Sequence, residues 1–182
     1  IYSKIKSLKI SSCYACSILK RWLLDKFAKK KKFNVIATGH SMDDEAETII
    51  LNFMKGNAQL LAKLGPLSGI ERKKEFIQRI KPLYLCPEKE IILYAKLKKI
   101  PLSLEVCPKR GETFRVEIRN FLREMEKKHI GVKNAIVNTM LQILPCIKEN
   151  FKFRLELKKC EKCKEPCSQE TCKRCQILKQ LK

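Results

Sequence analysis

The chain has 182 residues, of which 45% are hydrophobic and 32% charged, a composition typical of a globular protein rather than a disordered one. Its 40 lysines and arginines against 19 aspartates and glutamates give a net charge of +21, which favours a polyanionic partner such as nucleic acid over a merely solvated lysine-rich surface. No apolar run approaches the roughly 18 to 20 residues that cross a bilayer, and the first residues lack a signal peptide, so we predict a cytoplasmic protein with no membrane segment.

The first 54 residues predict a helix, a strand and a second helix. Residues 13–32 carry apolar side chains at three- and four-residue steps and are predicted to form an amphipathic helix. The side chains expected to face inward are Ile18, Leu19, Leu23 and Phe27. Residues 33–38 form a short apolar run of the buried-strand type, and Gly39 follows it. Acidic residues then open a helix that is predicted to end near Met54.

Turn signals, strands and a helix follow in the middle of the chain. Residues 56–75 predict a loop with a helical turn, and residues 76–83 predict a second strand. Residues 87–99 predict a helix that has Pro87 in its first turn, where a missing N–H costs nothing. Residues 102–106 predict a third short strand.

Two more helices are predicted over residues 112–128 and 132–149, the second interrupted near Pro145. The side chains expected to face inward from the first of these helices are Phe114, Ile118, Phe121, Leu122 and Met125. Strands that alternate with helices predict an α/β fold, in which a parallel sheet is flanked by helices.

The last 25 residues have a different composition, with five cysteines, seven lysines and few apolar residues. We therefore predict two domains, residues 1–155 and a small module over residues 156–182. Two C-x-x-C pairs in this module supply four thiolates, as structural zinc sites do; these are Cys160, Cys163, Cys172 and Cys175. Zinc binding, worth about 10 to 16 kcal/mol in finger peptides, would replace the missing hydrophobic core.

A second group of cysteines begins with Cys13 and Cys16, which are either a redox dithiol or two metal ligands. Cys107 directly follows a predicted strand, where the functional loops of a parallel sheet emerge, although a buried core thiol is the alternative. If the three converge, they would leave one iron of a four-iron cluster open. The remaining cysteines, Cys86, Cys146 and Cys167, have no assigned role.

The acidic residues Asp43, Asp44, Glu45 and Glu47 form the densest acidic cluster in this basic chain. They follow a predicted strand-to-helix turn. Helix capping and compensation of the helix dipole explain Asp43 and Glu45 without a further function. Coordination of magnesium on a nucleotide phosphate is the functional alternative.

Four sequence motifs occur in order along nearly the whole chain. They are C-x-x-C-S-x-x-K-R-x-L, A-T-G-H-S-M-D-D-E-A-E-T, E-V-C-P and C-E-K-C…C-K-R-C. Together they resemble the PP-loop ATPases that 2-thiolate tRNA uridines, the TtuA type and its wobble-uridine relatives. The resemblance implies an adenine-nucleotide α/β sheet, the PP-loop fold, with a small C-terminal zinc finger.

The resemblance also implies roles for individual residues. Cys13, Cys16 and Cys107 match the three ligands of a catalytic [4Fe-4S] cluster. Lys20 matches an active-site lysine, and Asp44 matches an aspartate close to ATP and Mg²⁺, in a motif that also contains Gly39 and His40. The zinc finger of the family matches the four cysteines of the C-terminal module, whereas Cys167 occupies a position that is usually not cysteine.

The implied reaction is adenylation of the uridine C2 oxygen by ATP, followed by sulfur insertion via the cluster. The implied partners are tRNA, a ubiquitin-like thiocarboxylated sulfur carrier protein and a second copy of the chain in a homodimer. A non-catalytic, zinc-dependent RNA-binding protein is the alternative from another class. A cytidine thiolase is a third, disfavoured by the C-terminal finger.

The sequence departs from the family in one respect. Family members carry an S-G-G-K-D-S phosphate loop before the first C-x-x-C, whereas none of the six glycines here is adjacent to another. A phosphate cradle needs successive backbone N–H groups turned inward, which glycine permits. We therefore expect a fold that is incomplete at its N-terminus, binds ATP weakly and is inactive alone.

Overall fold

The computed structural model describes residues 12–71, 75–102, 113–152 and 158–180. Three predicted features therefore lie outside the described residues: Cys107, most of the strand at 102–106 and the domain boundary near residue 155. The described elements are, in chain order, α1 (Ser12–Lys30), β1 (Val35–Ala37), α2 (Met42–Met54), α3 (Ala58–Leu61), β2 (Gln78–Ile80), α4 (Glu88–Leu97), α5 (Phe114–Lys128), α6 (Val132–Phe151), β3 (Lys158–Lys159), β4 (Pro166–Cys167) and α7 (Lys173–Gln180).

The chain forms two compact units, each assembled from separate stretches of sequence. The cysteine-rich unit comprises the described parts of residues 1–36, 73–77 and 153–182. The helical unit comprises the described parts of residues 37–72 and 78–152. The division into domains 1–155 and 156–182 stays a prediction.

In the cysteine-rich unit, α1 packs against α7 through a small apolar contact. Ala15 and Ile177 are buried there, and Ile18 and Leu19 pack against them. Of the side chains predicted to face inward, Leu23 and Phe27 are instead 55% and 57% exposed. That part of the prediction was wrong, because the side of α1 that is buried is the one carrying Ala15, and the apolar periodicity did not reveal it.

In the helical unit, α2 is the central element and packs against both α5 and α6. Ser41 and Asp44 cap its first turn reciprocally: the Ser41 side chain accepts from the Asp44 N–H, and the Asp44 side chain accepts from the Ser41 N–H. The core cluster of this unit consists of Met42, Ala46, Ile49, Leu61, Leu64, Tyr84, Ile118, Leu122, Val137, Met140 and Leu144.

At its Ala37 end, β1 pairs with β2 in a two-stranded sheet, and the Thr38 N–H donates to the Ile80 carbonyl over 2.9 Å. The prediction of a buried strand was wrong for β1, since Val35 is 38% exposed. A strand of a parallel sheet is buried only where both faces are covered. The predicted helical turn between the two strands is confirmed as α3.

Helices α5 and α6 occur where the sequence predicted them, but two details differ. On α5, Ile118 and Leu122 are buried as expected, whereas Phe114 and Phe121 are 38% and 51% exposed. The predicted interruption near Pro145 was wrong, since α6 runs without a break from Val132 to Phe151. Pro145 lies on the exposed side of α6, while buried residues such as Leu144 anchor the opposite side to the core.

Membrane insertion was not expected from the sequence. Among the described helices, no single one is both long and apolar enough to cross a bilayer. Only α5 and α6 taken together reach that length and composition, and they bend by 111° at their junction.

Asp43 ties three helices of the helical unit together. Its carboxylate accepts from the backbone N–H of Glu88, at the start of α4, over 2.7 Å, and from Lys133 Nζ, on α6, over 2.5 Å. Both side chains of the ion pair are mostly buried. Burial alone would raise the pKa of Asp43, but these two hydrogen bonds and the Lys133 charge outweigh it and hold the pKa below its usual value.

We predict that Asp43→Asn destabilises the chain at pH 7 by about 1.5 to 3 kcal/mol, since it removes charged hydrogen bonds and leaves Lys133 without its partner. Because the folded-state pKa of Asp43 is depressed, this stability is present above the unfolded-state pKa of about 3.9 and is lost as the pH falls through the folded value. Urea unfolding at pH 7 and pH 3 measures the difference. Glu117→Gln, at an exposed site on α5, is the control that should change little. An equal cost of Asp43→Asn at both pH values would contradict the prediction.

Candidate functional site

The two C-x-x-C pairs of the C-terminal module converge on one point. The Sγ atoms of Cys160, Cys163, Cys172 and Cys175 all lie within 4.8 Å of one another. The Cys163 and Cys172 sulfurs are 3.6 Å apart. Four thiolates at about 2.3 Å from a tetrahedral zinc ion would be separated by about 3.8 Å. The spacing therefore fits one mononuclear metal, whereas a four-iron cluster would hold its ligands farther apart, each on a separate iron.

Local backbone geometry prepares these sulfurs for a metal. The Cys172 N–H donates to Cys160 Sγ over 3.3 Å, and the Cys175 N–H donates to Cys172 Sγ over 3.5 Å. Lys164, just after the first pair, has a positive φ of 59°, and its N–H bonds to the Cys160 carbonyl to close a tight turn. A donor set of four sulfurs selects zinc or iron among common metals.

Electrostatics in this group of thiols favours a cation. Backbone N–H groups, that of Cys172 foremost, lower the pKa of Cys160 to about 6. Burial raises the pKa of Cys172 to about 12 and also raises the pKa of Cys163. Neighbouring thiols cannot all ionise in one buried place unless a positive charge compensates them. A bound metal supplies that charge, and its binding would release protons.

Three of the predicted site residues form a stripe along α1. Cys13, Cys16 and Lys20 are separated by three and four positions, so they lie on one side of the helix. Cys13 and Lys20 are exposed and Cys16 is half-buried. This stripe presents two thiols and one ammonium group one turn farther along. Whether Cys107 joins the two thiols stays a prediction.

The loop between β1 and α2 contains Gly39 and His40. A Cβ atom added at Gly39 would meet no atom of the described residues within 4 Å, so these residues leave that side of the backbone open. His40 Nδ1 lies 2.9 Å from Thr38 Oγ1, which orients the ring. The binding roles of both residues stay predictions.

Each acidic side chain that follows this loop has a structural partner. Asp44 caps α2 through one carboxylate oxygen, and its other oxygen lies 3.7 Å from Arg115 Nη2. The capping residue is therefore Asp44, whereas the sequence interpretation assigned capping and dipole compensation to Asp43 and Glu45. The Asp44 side chain remains 35% exposed, and the magnesium role stays a prediction.

The other two acids are buried in ion pairs. Glu45 accepts from Lys81 Nζ over 2.6 Å, and Glu47 binds Arg119 through two hydrogen bonds of 2.5 and 2.9 Å. These contacts hold the start of α2 to neighbouring elements, so Glu45 and Glu47 act as structural ion pairs.

Sequence analysis missed three residues that link α1 to the four sulfurs. Trp22 Nε1 donates to Glu165 Oε1 over 3.2 Å. The guanidinium group of Arg174 lies over the Trp22 ring, with Cζ 4.5 Å from the ring centroid. The signal that could have found them is that Trp22 is the only tryptophan in the chain and lies in a helix rich in lysine and arginine.

Comparison with known proteins relates this arrangement to one family. The family model described as a PP-loop domain matches residues 20–126. The chain is 31% identical over 179 residues to the tRNA 2-thiolation protein NcsA of Haloferax volcanii, covering 94% of this chain and 56% of that protein. It is 33% identical over 165 residues to the tRNA-5-methyluridine(54) 2-sulfurtransferase of Pyrococcus horikoshii, covering 91% and 52%.

A solved structure is similar as well. The U34-tRNA thiolase NcsA of Methanococcus maripaludis, solved with its [4Fe-4S] cluster, matches with a TM-score of 0.76 and 29% identity over 94% of this chain and 53% of that chain. The predicted fold class, an α/β fold of the PP-loop type, is confirmed. The chain spans about half the length of the curated relatives it matches.

We predict that the purified chain binds one zinc ion and that Cys172→Ser loses it, because three thiolates and a hydroxyl do not reproduce the four-sulfur donor set. Elemental analysis of the protein measures the zinc, and the thiolate absorption of Co²⁺-substituted protein measures the geometry.

Cys167→Ser is the matched control for that substitution. Cys167 lies in the same module, but its Sγ bonds to the Gln169 carbonyl and is not one of the four converging sulfurs. Equal zinc loss in both variants would refute the assignment of the four ligands.

Proposed function

The chain belongs to the PP-loop domain family, and from that membership we propose that it forms part of an ATP-dependent tRNA-uridine 2-sulfurtransferase. The observation that carries the proposal is its likeness, over nearly its whole length, to a tRNA thiolase solved with a [4Fe-4S] cluster. The stripe of Cys13, Cys16 and Lys20 on α1 lends support, since it provides thiols and a positive charge on one side of a helix.

The proposed reaction replaces the C2 oxygen of a uridine by sulfur. A carbonyl oxygen is a poor leaving group until it is converted into a phosphate ester. The C2 oxygen would attack the α-phosphorus of ATP, and pyrophosphate would leave. A sulfur nucleophile would then attack C2, and AMP would leave with the former carbonyl oxygen. One sulfur atom thus replaces one oxygen atom at C2, with sulfur supplied at the oxidation level of hydrosulfide. A thiocarboxylated carrier protein is a suitable donor of sulfur in that form.

Residues of this chain would serve the two steps differently. Lys20 would stabilise negative charge that develops on the phosphates or on the nitrogen and oxygen atoms bonded to the attacked carbon. Asp44 would hold Mg²⁺ with the carboxylate oxygen that faces Arg115, while its other oxygen keeps capping α2. The open backbone at Gly39 and the oriented ring of His40 would line the nucleotide.

Metal groups would occupy two places. Cys13, Cys16 and Cys107 would hold a [4Fe-4S] cluster, which when bound supplies an iron with an open position for sulfur. The four converging sulfurs of the C-terminal module would hold structural zinc. Separate sites of this kind agree with the chemistry of the donors, since three cysteines leave a coordination position open and four close it.

Partners follow from charge and from the relatives' names. The net charge of +21 suits tRNA, whose binding should weaken steeply with salt as counterions are released. We further propose a ubiquitin-like sulfur carrier, a homodimer and a place in the cytoplasm; relatives such as that of Aedes aegypti are named cytoplasmic tRNA 2-thiolation protein 1.

Anaerobic reconstitution with iron and sulfide tests the proposal. We expect about four irons per chain in addition to one zinc. Cys13→Ala, Cys16→Ala and Cys107→Ala should each abolish the iron absorption and the electron paramagnetic resonance signal of the reduced cluster, while the zinc content stays at one. Iron and zinc are both read by elemental analysis.

Cys146→Ala is the matched control, because Cys146 is also exposed but belongs to no predicted ligand set. A chain that binds zinc alone, with Cys13 and Cys16 still reactive to thiol reagents after reconstitution, would favour the alternative of a non-catalytic zinc-dependent RNA-binding protein.

A further inference from the structure

Helix α1 contacts the metal-binding module through the apolar contact of Ala15 with Ile177 and through a second side chain, Trp22. Its indole N–H donates to Glu165 Oε1 over 3.2 Å, and its ring lies beneath the guanidinium group of Arg174 at 4.5 Å. Glu165 follows the first cysteine pair by two residues, and Arg174 directly precedes Cys175. Both partners of Trp22 therefore sit beside proposed metal ligands.

Arg174 connects Trp22 to the sulfur atoms themselves. One of its guanidinium nitrogens donates to Cys175 Sγ at 3.6 Å, and another lies 3.5 Å from Glu165 Oε2. The Arg174 side chain is only 15% exposed. Arg174 is thus packed between a proposed metal ligand, a carboxylate and the Trp22 ring, so its position depends on where the turn that carries Cys175 lies.

The module has little else to keep it folded. Ile177 is the one aliphatic side chain that is fully buried among the described residues 158–180, and the two strands β3 and β4 are two residues long each. Metal binding in such modules supplies the folding energy. Loss of the metal would therefore release Glu165 and Arg174 together.

The orientation of α1 about its axis is set on the side that faces this module. Ala15 and Trp22 lie on that side, one buried against Ile177 and the other in contact with Arg174. At about 100° per residue, Trp22 points roughly 180° away from Cys13, nine positions earlier. Holding one side of the helix thus fixes the direction in which the stripe of Cys13, Cys16 and Lys20 faces.

We propose that the four-cysteine module is a metal-dependent mount for α1, in which Arg174 and Glu165 are positioning residues that hold Trp22. The inference rests on the proposed function, in which the module binds zinc and α1 carries two cluster ligands. Zinc then stabilises the cluster-binding end of α1 without touching it. Removal of zinc lets α1 turn or fray, and the pair of thiols loses its fixed direction.

The first experiment uses Trp22 as the only tryptophan emitter in the chain. Zinc is removed from the purified, reduced chain with a strong chelator, and the emission maximum and iodide quenching are recorded together with amide hydrogen exchange in α1. We expect a red shift, stronger quenching and loss of protection in α1, all reversed by one equivalent of Zn²⁺. If the emission maximum and the hydrogen-exchange protection of α1 are both unchanged after zinc has been removed, the proposal that zinc holds α1 in place is refuted.

The second experiment separates the mount from zinc binding itself. Arg174→Gln should still bind one metal, as judged by Co²⁺-thiolate absorption, but should show weaker α1 protection and about tenfold weaker retention of cluster iron, the effect usual for a residue that supports ligands. Lys179→Gln removes the same charge from an exposed site on α7 and is the matched control. Trp22→Phe, which keeps a ring but loses the hydrogen bond to Glu165, should weaken α1 protection in the zinc-bound chain.

The two proposals fail in different ways. If the chain assembles no cluster at all, but its Trp22 emission and α1 protection change with zinc content, the proposed function is refuted and the role of the module as a mount for α1 still holds. A chain that assembles the cluster equally well in the wild type, in Arg174→Gln and without zinc would sink the mount and leave the proposed function intact.

Discussion

The four converging cysteine sulfurs of the C-terminal module need a cation to balance their charge as thiolates. The structure of the module depends on that coordination. Burial opposes ionisation of Cys172 and Cys163, whereas backbone N–H groups favour it at Cys160. Without a cation, the four thiols therefore differ in their tendency to ionise, and nothing balances the charge of four thiolates. A divalent metal removes the conflict because it stabilises all four thiolates at once. The module can then hold its shape although Ile177 is the one fully buried aliphatic side chain among its described residues.

The consequences of that coordination extend beyond the module to α1. Arg174 touches a sulfur, a carboxylate and an indole ring, and so it joins the charge of the site to a helix that contributes no ligand to it. Cationic side chains near metal-bound thiolates also offset the excess negative charge that four thiolates bring. The same residue would thus serve the electrostatics of the metal and the placement of the helix.

The helical unit is stabilised in another way, by buried ion pairs around the start of α2. Asp43, Glu45 and Glu47 each bind a lysine or arginine from a different part of the chain. Buried pairs of this kind contribute little net stability compared with apolar packing, but losing one partner is costly, so they fix which elements are neighbours. They fix the start of α2, which directly follows the loop that contains Gly39 and His40 and that we propose to bind the nucleotide.

The sequence by itself determined the features that depend on short-range spacing. The two C-x-x-C pairs predicted the four-sulfur site, and apolar periodicity, capping residues and proline placed α1, α2, α4 and α5 to within a few residues. The resemblance carried by the order of the motifs implied the PP-loop fold. The helices and the metal-binding turns are local features, because each is encoded by residues three or four positions apart.

Tertiary structure alone decided which sides of those elements are used. Leu23 and Phe27 fit a helical apolar stripe as well as Ala15 does, yet α1 buries Ala15 because its contact with α7 and the Arg174–Trp22 pair lies on that side. In the sequence, the acidic cluster was equally compatible with capping and with magnesium binding. The ion pairs of its acids are made with Lys81, Arg119 and Lys133, which lie 36 to 90 positions away. Partners at such separations are brought together by packing, so no local pattern in the sequence specifies them.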